Sequence, residues 1–94
     1  MSTFILRGHY SVQAFKGISS ERTAKSHDLA KKYGGGIKDI YALLGKDDLL
    51  LITEFPGIPE AMQFSIALSS LTGIGFTTSA AVGVDEFDKL MENQ

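Results

Sequence analysis

Leu49-Leu50-Leu51-Ile52 constrains this chain more than any other stretch. The run follows Lys46-Asp47-Asp48 and is closed by Pro56-Gly57, so it is too short for a helix and reads as a strand from Leu49 to Phe55. Successive side chains of a strand point to opposite faces, and a strand apolar at both parities has to be covered on both. Phe4-Ile5-Leu6 repeats the pattern. Two such strands require helices on one side of a sheet and a second cover on the other.

The remaining elements follow from local signals. A first strand runs from Phe4 to Val12, with Gly8 marking a bend. Ser19 or Ser20 caps a helix with Glu21 in its first turn, where the macrodipole favours an anion. Its apolar face holds Ser26, Leu29, Ala30 and Tyr33, while Lys25, Asp28, Lys31 and Lys32 point elsewhere. Gly34-Gly35-Gly36 ends this helix. A phosphate loop would instead lead into a helix N-terminus. A second strand covers Ile37 to Leu44, with Ile37, Tyr41 and Leu43 on one face and Ile40, Ala42 and Leu44 on the other.

Pro59 suits a first helical turn, so residues 58–71 form a helix whose core stripe is Ala61, Phe64, Ser65, Leu68 and Leu71. Met62 and Ile66 lie away from that stripe. "IGFTTSAAVGV" is the last strand, with Ile74, Phe76, Thr78, Ala80, Val82 and Val84 on one side. A final short helix has Asp85 as its cap and gathers Phe87, Leu90 and Met91. These either cover the second helix of the same subunit or dock on a neighbour.

Strand, helix, strand, strand, helix, strand is the split βαβ order, which gives an α+β, ferredoxin-like βαββαβ sandwich: a four-stranded antiparallel sheet with two helices on one face. Its central strands are the two doubly apolar ones. Leu50 and Ile52 then share the open face, and burying such a side chain is worth roughly 1.5–3 kcal/mol. A second copy related by a two-fold axis is the simplest cover, so a homodimer, or a higher homo-oligomer, with Leu50 and Ile52 in its interface is expected.

The totals set the outer limits. The 94 residues fit a single domain, 1–94, and 44% hydrophobic with 21% charged residues is globular usage. With a net charge of -2 and Lys31-Lys32 as the one adjacent basic pair, nucleic acid is not an expected partner. The chain has no cysteine, which removes thiolate metal sites and cysteine nucleophiles. "MSTFILRGHY" lacks a basic leader, and no run reaches the roughly 20 apolar residues of a bilayer span. A cytoplasmic location without membrane contact is therefore the expectation.

The element order, with "YALLGKDDLLLITEFPG", "EAM" and the late "GIGFTTSAAV", resembles the GYD domain family over about residues 3 to 91. The resemblance implies a ferredoxin-like fold and a dimeric α+β barrel assembly. Of the Gly-Tyr-Asp style signature between the second and third strands, Gly45 and Asp48 carry over, whereas Asp47 stands where the family has a tyrosine. Relatives by fold include cofactor-independent monooxygenases, isomerases, haem enzymes and ligand-binding modules of Lrp/AsnC regulators. Fold likeness does not choose among them.

Candidate chemistry is sparse. His9 and His27 have no metal-ligand spacing, and no metal or cofactor is expected. Glu54 shares strand parity with Leu50 and Ile52, so it is either a buried general base or an ion-pair partner of Arg7 or a lysine as the strand leaves the core. Tyr10, Tyr33 and Tyr41 are candidate hydrogen-bonding groups around a small apolar or aromatic molecule between sheet and helices. Three readings remain open: a binding domain, a small cofactor-independent enzyme using His9, Tyr10 or Glu54, and a structural subunit of a larger homo-oligomer. Gly45 and Asp48 suit a tight turn with Lys46 and Asp47 at its solvated tip.

Overall fold

The computed structural model describes residues 1–94. Four strands, β1 (Ser2–His9), β2 (Gly36–Ala42), β3 (Leu49–Phe55) and β4 (Gly75–Ala81), form one sheet in the order β2-β3-β1-β4, every pair antiparallel. The doubly apolar strands are the central pair, as the split βαβ order requires. Helices α2 (Ser20–Lys32) and α3 (Ile58–Thr72) pack on the sheet; a short α1 (Val12–Lys16) precedes α2, and α4 (Val84–Glu92) follows β4 at the C-terminal end. This is a ferredoxin-like α+β fold.

Alternation divides β1 and β3 between two environments. Phe4, Leu6, Leu51 and Phe55 are buried beneath α2 and α3 with Ala30, Ala61, Phe64 and Leu68. Phe55 and Phe64 meet with ring centroids 4.9 Å apart. Thr53 is also fully buried, and its Oγ1 donates a 2.8 Å hydrogen bond to the carbonyl of Phe4, so no polar atom is stranded. On the opposite face lie Ile5, Leu50 and Ile52, half-buried by their sheet neighbours.

Local chemistry explains several departures from the sequence expectations. The first strand stops at His9 because Ser11 caps α1, its Oγ accepting the Ala14 N–H at 3.0 Å. Gly8 marks no bend. A Cβ there would lie 2.8 Å from the side chains of Ile74 and Phe76, so glycine provides space for the packing above it. In β2 a bulge between Ile37 and Asp39 adds a residue, which places Ile37 and Ile40 on the core face together and sends Tyr41 to the open face opposite Leu50. Simple alternation had separated Ile37 from Ile40.

Ser19 is the α2 cap, accepting the Arg22 N–H at 3.0 Å. Along α3 the buried positions are Ala61, Phe64, Leu68 and Thr72, with Leu71 exposed rather than in the core. Met62 and Ile66 stand in solvent. At α4 the capping position is Gly83, and Asp85 lies inside the first turn.

Candidate functional site

The turn 43–48 folds across the C-terminal end of β1 and is fastened there by Asp48. Its backbone N–H donates to the Gly8 carbonyl and its carbonyl accepts the Leu43 N–H, both at 2.9 Å. Its carboxylate Oδ2 accepts the Tyr10 N–H, also at 2.9 Å. Gly45 has φ of 128°, a conformation that side chains disfavour, and reverses the loop. Asp48 thus joins the β2–β3 turn to the point where the chain leaves the sheet for α1.

Asp47 does not sit at a free tip. Its Oδ1 lies 3.0 Å from His9 Nε2 and its Oδ2 is 4.0 Å from Arg7 Nε. Arg7 and His9 share the parity of Ile5, so this cluster lies at the rim of the open sheet face. The His9 side chain is 55% exposed, and an ion pair so open to water contributes little stability.

Tyr10 turns the other way, toward the helices, with its ring edge-on to Phe15 at 6.1 Å. It lines a cleft of about 70 Å³ between sheet and α2, walled by Ile40, Leu49, Leu68 and Phe76. Apart from the Tyr10 hydroxyl, the cleft's polar side chains are engaged with backbone. Arg22 Nη1 donates to the carbonyls of Ala14 (2.8 Å) and Thr72 (3.5 Å), near the C-terminal ends of α1 and α3, where a cation is favoured. Ser26 Oγ donates to the Arg22 carbonyl at 2.9 Å, and Thr72 Oγ1 donates to Leu68 at 2.8 Å while accepting the Ile74 N–H at 3.1 Å. With these satisfied, the remaining surface is mainly apolar. Tyr10 and Ile18 also wall a broader outer depression of about 650 Å³ with Val12, Phe15, Lys16 and Leu43.

The structure separates residues that sequence reasoning had grouped. Of the three tyrosines, only Tyr10 reaches the cleft. Tyr33 packs against the core with Lys32 Nζ 5.6 Å from its ring centre, and Tyr41 is half-exposed on the open sheet face. Glu54 is not a buried base: its Oε1 pairs with Lys38 Nζ at 3.2 Å on the sheet's second strand pair. It stands opposite Thr3, six residues from His9 along β1, or roughly 20 Å. His9, Tyr10 and Glu54 therefore cannot serve one reacting centre. His27 is exposed on α2. Sequence reasoning missed α1 with its Phe15, and did not single out Ile18 or Arg22 as cleft residues. The available signal was Ser11 ahead of the helix formers Gln13 and Ala14, with Gly17 behind.

The model of the GYD domain matches residues 4–91. The chain belongs to the GYD domain family. No curated protein matches this GYD domain in sequence. Among solved structures, it is similar to the crystal structure of the Mycobacterium tuberculosis leucine response regulatory protein LrpA, with a TM-score of 0.65 and 4% identity. The alignment covers 87% of this chain and 51% of LrpA, so the GYD domain spans about half the length of that protein. At this identity the likeness is one of fold. No helix of the domain is long and apolar enough to cross a membrane.

Proposed function

We propose that this GYD domain is a self-associating module that takes a small apolar or aromatic molecule into the cleft beside Tyr10. The observation that carries the reading is the cleft itself: mainly apolar walls, polar side chains other than Tyr10 bonded to backbone, and a wall of Tyr10 and Ile18 shared with the outer depression. Its 70 Å³ is less than half of the roughly 150 Å³ that accommodates benzene in an apolar cavity. A group the size of an isobutyl chain or a ring edge enters, and the rest of the molecule lies against Phe15 and Leu43 outside.

Self-association uses the open face, with Leu50 and Ile52 at its centre beside Ile5. These side chains are already half-covered within the subunit, so each contributes about 1 kcal/mol on burial rather than the full value for an exposed residue. Packing as a dimeric α+β barrel would cover them. The net charge of -2 supports neither a nucleic-acid nor a membrane-surface role, and a cytoplasmic location fits the absence of cysteine.

Calorimetric titration with indole, toluene, isobutyrate and leucine tests the cleft. At least one should bind, and Ile18→Trp, which plugs the shared wall, should weaken it tenfold or more. Binding by none of them, or binding indifferent to Ile18→Trp, refutes the reading. The alternative of a cofactor-independent enzyme is favoured by one observation, the 3.0 Å His9–Asp47 pair at the rim of the open sheet face. It requires a turnover that His9→Ala abolishes while the fold survives.

A further inference from the structure

We infer that α4 is an exchanged arm which seats in the groove between α3 and β4 of a second copy of this chain. α4 has two unlike sides. Val84, Phe87, Leu90 and Met91 fall within one third of its circumference, with Asp85, Glu86, Asp88, Lys89 and Glu92 around the rest. None of its residues is buried, and the four apolar ones are 51–72% exposed. The molecule measures 48 × 31 × 18 Å with a radius of gyration of 14.2 Å, against about 12.4 Å for a compact chain of this length. The nine-residue helix thus leaves an apolar face largely exposed.

The groove is its counterpart. Ile58, Met62 and Ile66 form one wall, each at least 62% exposed, and the small residues Ala61, Ser65 and Ala80 leave its floor open to inserted side chains. From Ile58 to Ile66 the wall is roughly 12 Å long, and the α4 stripe from Val84 to Met91 is roughly 10 Å. The lengths match. The connection from β4 is only Val82 and Gly83, with Gly83 extended (φ -64°, ψ 152°).

The area is sufficient. Seven large apolar side chains per subunit, four on the arm and three on the wall, become fourteen in a reciprocal exchange. At roughly 60–120 Å² each they remove on the order of 850–1,700 Å², which overlaps the range of stable dimers. This contact is separate from the sheet-face pairing and does not depend on it.

The absence of cysteine allows a direct test. A size-tagged chain carrying Met62→Cys is mixed with an untagged chain carrying Leu90→Cys, both substitutions being at exposed positions, and treated with a short bismaleimide. Heterodimeric cross-links should dominate over either homodimeric product, and a chain with both substitutions should give linked dimers. Closure of the double variant within one chain would overturn the exchange, as would cross-linking no faster than for a control cysteine at Lys25. The same cross-link should persist in a Leu50→Asp background, so failure of the sheet-face pairing and failure of the arm exchange are read separately.

Discussion

Replacing Asp48 by alanine removes the acceptor that holds the Tyr10 N–H at 2.9 Å, while the two backbone bonds of residue 48 remain possible. A hydrogen bond to a charged group contributes about 1.5–3 kcal/mol, and the carboxylate here is 40% exposed, which brings the expected loss to about 1–2 kcal/mol. Asp47→Ala breaks a pair with the exposed His9 side chain and should cost only about 0.2–1 kcal/mol. Urea unfolding at fixed protomer concentration measures both, and Asp48→Ala should lower the midpoint with an unchanged slope. In a domain of this size the corresponding fall in Tm is roughly 4–16 °C. Asp48→Asn keeps an acceptor and should lie between wild type and alanine. If Asp47→Ala proved as damaging as Asp48→Ala, the assignment of Asp48 as the fastening residue of the turn would be wrong.

Three further outcomes follow from the packing. Gly35→Ala would drive a Cβ into the Glu54 carbonyl and the Phe55 ring and should destabilise by at least 1–3 kcal/mol, whereas Gly36→Ala meets nothing and should change stability by less than 1 kcal/mol in a paired denaturation series. Phe64→Ala empties a fully buried site against Phe55 and should cost about 3–5 kcal/mol by the same measurement. Leu50→Asp should reduce association by light scattering while leaving the far-ultraviolet circular dichroism of the subunit intact; unchanged mass would remove the open face from the interface.

The architecture was legible because it depends on patterns that survive without coordinates. Leu49 to Ile52 and Phe4 to Leu6 are apolar at both parities, and only the two central strands of a split βαβ sheet accommodate that. The helix signals at Ser19, Pro59 and the three consecutive glycines likewise act over one turn or less, so local chemistry placed the elements within a few residues. The family resemblance carried by the element order and by "YALLGKDDLLLITEFPG", "EAM" and "GIGFTTSAAV" matches the family found for residues 4–91.

The candidate site was legible only in part, because its members are joined by contacts that no local pattern encodes. Tyr10, Tyr33 and Tyr41 are alike in sequence, yet one lines the cleft, one packs against the core and one lies on the open face. A single extra residue in β2 decided the last of these by reversing the parity of Tyr41 relative to Ile37. Asp47 looked like a solvated turn residue until the turn folded over β1 and brought it to His9. The sequence by itself determined the sheet, its order and the need to cover apolar surface, since hydrophobic period and turn chemistry act locally. Which side chains meet, which wall the cleft, and which helix is left largely exposed were decided by tertiary structure, where positions dozens of residues apart are placed within a few ångströms.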